Sequence, residues 1–159
     1  MIKIDRQLLD ATSQRARESS RGRMNHNFHS GPADTLQRML NAMEPGTYIQ
    51  PHKHEAPDKR EVFFALSGTL CIVEFWDDGR IKDFALLKAG SECSGAEIPA
   101  RTFHTVISLQ SGSVAYEIKD GPYIPIEDKN FAAWAPAENS PQAGAWLKQL
   151  IEKLNLSII

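Results

Sequence analysis

Residues 61–79 read Glu61-Val62-Phe63-Phe64-Ala65-Leu66-Ser67-Gly68-Thr69-Leu70-Cys71-Ile72-Val73-Glu74-Phe75-Trp76-Asp77-Asp78-Gly79. A short apolar run closes on Ser67-Gly68. A second run, Thr69 to Trp76, is rich in β-branched and aromatic residues and closes on Asp77-Asp78-Gly79. Runs of this length and composition, bounded by Gly and Asp, read as strands joined by tight turns. Arg80 to Leu87 is then the returning strand of a hairpin, and Ala89-Gly90 breaks it. Phe103 to Leu109 and Ser113 to Ile118 form a further pair around Gln110-Ser111-Gly112. Closely spaced short strands with Gly-rich turns predict an antiparallel sandwich or barrel.

Outside this region the patterning changes. Asp5 caps a predicted helix running to about Ser20, with Leu8, Leu9 and Thr12 on one face. Arg21 to Pro32 is rich in Gly, Asn, Ser and His and reads as a loop. Leu36 to Met43 favours helix by propensity, and Pro45-Gly46 ends it in either case. After Gly121-Pro122 a Pro-rich segment runs to Pro141. Trp146, Leu147, Leu150, Ile151 and Leu154 recur at three and four residues and predict an amphipathic C-terminal helix packed on the barrel.

Composition limits the function classes. A chain of 159 residues, 42% hydrophobic and 24% charged, has the size of one domain and the balance of a folded globular protein. A net charge of -2 makes no electrostatic case for nucleic acid or an anionic membrane. The basic residues from Arg15 to Arg23 read as a solvated helix face and the loop after it. Two cysteines, Cys71 and Cys93, are too few for a disulfide scaffold. The apolar runs are too short to span a bilayer, and the N-terminus has no signal core, so the expectation is a cytoplasmic protein. The chain has no internal repeat and no low-complexity tract.

Three features carry chemistry. His52 and His54 stand two residues apart, so in a strand both imidazoles point to one face. Glu61 places a carboxylate at the start of the next apolar run, and His104 lies in a later strand-like segment. Three histidines and one carboxylate suit a divalent transition metal (Zn, Fe, Mn or Ni) rather than Ca or Mg, which favour oxygen ligands. The expected metal ligands are His52, His54, Glu61 and His104. Asp58 is a rival carboxylate.

Gly46, His52, His54, Glu61 and Gly68 resemble the first motif of the cupins. The His54–Glu61 gap of six residues is longer than that pattern's, whereas Asp58 sits at the usual spacing. The glycine register favours Glu61. Gly90, Pro99 and His104 resemble the second motif, with Arg101 where a glycine is usual and Ser108 where an asparagine is usual. Four runs, Arg23-Met24-Asn25-His26-Asn27-Phe28-His29, Gln37-Arg38-Met39-Leu40-Asn41-Ala42, Pro45-Gly46-Thr47-Tyr48 and Trp134-Ala135-Pro136, resemble the WbuC family of cupin-fold metalloproteins. This resemblance covers most of the chain.

The resemblance implies a mainly β fold, a single cupin-type antiparallel β-barrel (jelly roll) with flanking N- and C-terminal helices, and it turns Leu36 to Met43 into a strand. The expected organisation is an N-terminal helix and His-containing loop over 1–35, the barrel over 36–122, and a Pro-rich segment with C-terminal helix over 123–159. It also implies a metal site and a setting in surface-polysaccharide biosynthesis. His26, His29, Arg38, Arg101 and Tyr48 are candidates for contact with a substrate, Arg38 and Arg101 because a guanidinium matches a carboxylate or phosphate. Surface ion pairs and core packing are the competing roles. Tyr116 is a further residue that could line the cavity, again with packing as its competing role, and Trp134 and Trp146 read as packing anchors. The functional expectation is a metal-dependent isomerase- or epimerase-like enzyme acting on a small, sugar-derived ligand. An iron-dependent dioxygenase and a non-catalytic, metal-stabilised binding module are the alternatives. Pairing into a homodimer is compatible with the sequence but not required by it.

Overall fold

The computed structural model describes residues 1–123 and 130–159; part of the expected Pro-rich segment, 124–129, lies outside them. The chain begins with helix α1, Arg6–Glu18. Ten strands follow among the described residues: β1 Arg23–Asn27, β2 Leu36–Met43, β3 His52–Lys53, β4 Glu61–Ser67, β5 Thr69–Phe75, β6 Ile81–Lys88, β7 Gly95–Ile98, β8 Phe103–Ser108, β9 Ser113–Asp120 and β10 Asn130–Phe131. Helix α2, Ala143–Lys153, closes the order. The strands pair antiparallel into two five-stranded sheets, β1-β2-β9-β4-β7 and β10-β3-β8-β5-β6. The fold is thus the mainly β jelly roll with two flanking helices expected from the sequence. No ladder joins the two sheets among the described residues, so it is two facing sheets rather than a continuous ring of hydrogen bonds.

Each sheet has an inner face and a face covered by one helix. Asp5 caps α1 by accepting from the Leu8 backbone N–H at 3.0 Å, and Leu9 and Ala16 then pack on Leu40, Ala42 and Val114 of the first sheet. Helix α2 covers the outer face of the second sheet, where Leu147, Leu150 and Ile151 meet Cys71, Val73, Phe75 and Ile107. Between the sheets, Met43, Phe63, Leu70, Ile72, Leu87, Ile98 and Val106 form the inner core. Full burial of each such side chain contributes about 1.5–3 kcal/mol. No helix among the described residues is long and apolar enough to cross a membrane.

One expectation about local structure needs amendment. Arg23–Asn27, read as loop, is an edge strand paired with β2 from Arg23↔Met43 to Asn27↔Met39. Its polar composition fits an edge, where one side of the backbone and several side chains stay wet. Leu36–Met43 is the strand that the resemblance implies, β2, lying between β1 and β9; tertiary pairing there overrides a weak local preference for helix.

Gly68 links β4 to β5 with φ +69°, and a Cβ there would lie 2.8 Å from the Ser113 Cα and 2.3 Å from its hydroxyl oxygen. Gly46 has φ +88° but open space around it. Replacing Gly46 by Ala is expected to cost about 1–2 kcal/mol, the left-handed backbone penalty alone. Gly68→Ala should cost more, because backbone must also move. Urea unfolding of the two variants would show this order.

Candidate metal centre

Strand parity builds the site. On β9 the residues Ala115, Glu117 and Lys119 are buried, while Val114 and Tyr116 pack on the α1 side. Successive strand residues alternate between faces, so Glu117 and Lys119 point between the sheets. β4 pairs with β9 through Glu61↔Lys119 and Phe63↔Glu117, which sends Glu61 and Phe63 inward as well. On the facing sheet, β3 pairs with β8 at His52↔His104. One sheet therefore supplies the carboxylate and the other the imidazoles.

The four side chains converge. His52, His54, Glu61 and His104 each offer a ligand atom, and these atoms all lie within 4.8 Å of one another. All four residues are buried. Glu61 Oε2 lies 2.7 Å from His104 Nε2 and its Oε1 lies 3.1 Å from His54 Nε2. Two ligands at right angles on an ion with bonds of 2.0–2.2 Å are about 2.8–3.1 Å apart, so the residues fit a bound metal. The Nδ1 atoms of His52 and His104 lie 3.0 and 2.9 Å from the Gln50 and Thr102 carbonyl oxygens. A backbone carbonyl can only accept, so Nδ1 carries the hydrogen and Nε2 faces the cluster, the outer support that metal-binding histidines use. The Glu61–imidazole separations also serve as hydrogen bonds when Nε2 is protonated. Burial pushes the Glu61 carboxyl up, but the hydrogen bonds from His104 and His54 and their charges hold it well below the usual carboxylate range.

The cluster opens on a cavity of about 370 Å³ between the sheets. Ile49, Phe63 and Val106 give it an apolar part, and Arg23, Asn25, Asn27, Gln37, Asn41, Glu117 and Lys119 a polar wall. Lys119 Nζ lies 3.8 Å from Glu61 Oε1. Gln37 is turned to structure: its amide donates to the Gly31, Pro32 and Asp34 carbonyls and ties down that loop. Asn41 Nδ2 donates to Glu117 Oε2 at 2.8 Å, while its Oδ1 is buried with no protein partner among the described residues. An unsatisfied buried acceptor costs about 1–3 kcal/mol.

The remaining sequence candidates fall in different places. His29 lines the cavity and its Nδ1 accepts from the Arg38 backbone N–H at 3.1 Å. His26 stacks edge-on against Phe28, with its Nδ1 3.5 Å from the Arg15 guanidinium. Arg38 donates to the Phe28 carbonyl and lies 3.8 Å from Asp34. Tyr48 donates to the Pro136 carbonyl at 2.8 Å and packs on Trp146 of α2. Arg101 pairs with the rival carboxylate, Asp58, at 2.8 Å on the surface, away from the cluster. Arg101 has φ +65°, a left-handed conformation that explains why the cupin pattern has glycine there. Its backbone N–H donates to the His54 carbonyl at 3.0 Å.

Sequence reasoning singled out neither Asn41, Glu117 nor Lys119. Their alternation with Leu40, Ala42, Tyr116 and Ile118 marks one face of each strand, but the sequence carries no signal that this polar face is the inner one.

The family model described as a domain of unknown function, DUF6016, matches residues 4–87, more than half of the chain, and the chain belongs to that family. The match takes in His52, His54 and Glu61, and His104 lies beyond it. No curated protein matches the chain. Among solved structures, protein SO0799 from Shewanella oneidensis is 13% identical, with 82% of this chain and 84% of that chain covered and a TM-score of 0.56. L-ribose isomerase of Cellulomonas parahominis, solved with L-ribose, is 15% identical, with 71% and 70% covered and a TM-score of 0.53. The capsular polysaccharide assembling protein CapF from Staphylococcus aureus is 20% identical, with 62% of this chain but 27% of that chain covered and a TM-score of 0.50. At such identities the likeness is one of fold.

Removing Asp58 is expected to leave metal uptake intact, whereas Glu61→Gln should lower it. Elemental analysis of the two variants after reconstitution checks this.

Proposed function

We propose that the chain binds one divalent transition-metal ion through His52, His54, Glu61 and His104. In our reading it is a metal-dependent, isomerase- or epimerase-like enzyme acting on a small sugar-derived molecule. The observation that carries the reading is the convergence of three imidazoles and one carboxylate on the inner face of a cavity with a polar wall. The likeness in fold to L-ribose isomerase and to CapF, and the WbuC-like runs in the sequence, support a sugar substrate and a place in surface-polysaccharide metabolism. Such a role belongs in the cytoplasm.

A divalent ion supplies Lewis-acid polarisation of a carbonyl or hydroxyl oxygen when bound. The chain's own residues do the rest. The Gln50 and Thr102 carbonyls hold the His52 and His104 rings with Nε2 toward the cavity. Glu61 stays ionised, because its imidazole neighbours stabilise the charged form. Lys119 places a second cation beside Glu61 and faces the cavity. The two facing sheets exclude bulk water from the inner end, which strengthens each of these electrostatic contacts.

The test begins with metal content. Protein reconstituted in turn with Zn, Fe, Mn and Ni is expected to retain near-stoichiometric ion, and His52→Ala and His104→Ala to lose it. The loaded protein is then incubated in heavy water with a set of aldoses and nucleotide sugars. Deuterium entering the carbon next to the carbonyl, read by NMR, is the expected sign of isomerisation or epimerisation. A parent that holds no ion after reconstitution would sink the metal reading. Retained metal without turnover of any sugar would sink the isomerase reading and leave a metal-stabilised binding module.

A further inference from the structure

A second polar group on the cavity wall stands apart from the four-residue cluster. Asn41 and Glu117 lie on adjacent strands of the first sheet, in the register Met39↔Glu117 and Asn41↔Ala115. Both are more than nine-tenths buried and both line the cavity. The Asn41 amide nitrogen donates to Glu117 Oε2 at 2.8 Å, and this bond settles which way the amide points: a carboxylate can only accept, so the nitrogen faces Glu117. Asn41 Oδ1 is left buried with no protein partner among the described residues. The contrast is Gln37 on the same strand, whose amide nitrogen reaches three loop carbonyls. Asn41 does no such structural service for a loop.

We infer that the Asn41–Glu117 pair is a subsite for the hydroxyl groups of a polyhydroxylated small molecule whose other end faces His52, His54, Glu61 and His104. The chemistry is that of acceptors. Asn41 Oδ1 calls for an O–H donor, and the Glu117 carboxylate bonded to the same amide repels a phosphate or carboxylate at this point of the wall, so the end of the ligand seated against the pair is hydroxylated. The distance also fits. Glu61 pairs with Lys119 across the ladder, and Glu117 is the diagonal neighbour, about 7–8 Å away between backbones. One sugar-sized molecule can span that separation. The cavity, at about 370 Å³, stands near the small end of the range of about 300–1,000 Å³ for ligand sites, which favours a monosaccharide or alditol over a whole nucleotide sugar. The inference rests on the proposed reading of this cavity as the substrate site and adds the class of ligand and the residues that select it.

The experiment titrates the full-length protein, metal-loaded and metal-free, with the aldopentoses and their alditols, and follows binding by saturation-transfer NMR. Asn41→Leu and Glu117→Gln are measured beside the parent, together with metal content. The expected result is binding of at least one of these compounds by the parent, weakened about tenfold or more in each variant, the size of a lost buried hydrogen bond, with the ion retained. Glu117→Gln keeps the shape of the side chain and carries the test should Asn41→Leu not fold. Binding equal to the parent in both variants overturns the inference, as does a parent that binds none of the compounds. Binding and metal lost together also overturn it, since the pair would then be support for the cluster. A parent that binds sugar through Asn41 and Glu117 but holds no ion, or turns nothing over, leaves the subsite standing and removes the enzymatic reading.

Discussion

The packing of α1 against the outer face of the first sheet sets the parity of every strand beneath it. Leu9 and Ala16 cover Leu40, Ala42 and Val114, so the alternate residues, Asn41, Glu117 and Lys119, have no choice but to face inward. With β9 fixed, a slip of one residue in the β4–β9 ladder would turn Glu61 and Phe63 outward, and one in the β2–β9 ladder would turn Asn41 outward. The apolar stripe of one helix thus decides where the charged groups go.

That arrangement is costly unless the buried charges meet partners. Glu61 meets imidazoles on the facing sheet at 2.7 and 3.1 Å, and Lys119 approaches it from the same sheet. A carboxylate taken from water is tolerable only with such partners, since removing one of a buried pair leaves an uncompensated charge. The polar groups are concentrated at one end of the space between the sheets, while Met43, Leu70, Ile72 and Leu87 fill the rest with hydrocarbon. Stability and site are thereby separated within a single core. The hydrophobic part holds the sheets at a fixed spacing, and the polar part depends on that spacing for its geometry.

Backbone conformation enters at the margins of the cluster. Arg101 holds φ +65° while its N–H donates to the His54 carbonyl, which ties the turn before β8 to the residue after β3. His54 lies just past the two-residue strand β3, and this bond, with the Glu61 contact, holds it near the cluster. The six-residue interval between His54 and Glu61 is accommodated in the same place. It carries Asp58 out to pair with Arg101 and lets Glu61 begin β4 with its carboxylate among the histidines.

Much of the molecule could be read before any coordinates. The Asp5 cap, the three-and-four spacing of Trp146 to Leu154, the Asp77-Asp78-Gly79 turn and the His-x-His pair are local signals, because capping, helical periodicity and turn chemistry act over a few residues. The polar edge strand β1 looks like a loop in the sequence, because a strand without apolar alternation has no local signature and exists only through its pairing with β2. Glu117 and Lys119 are hidden in the sequence for a related reason. Along β9 the apolar residues Val114, Tyr116 and Ile118 alternate with them, and alternation by itself assigns the charged set to solvent. What the sequence by itself determined is the inventory: strands, two amphipathic helices, and three histidines with a carboxylate to bring together. Only the tertiary structure decided which face of each strand lies inside, since that choice depends on which side a helix, distant in sequence, covers.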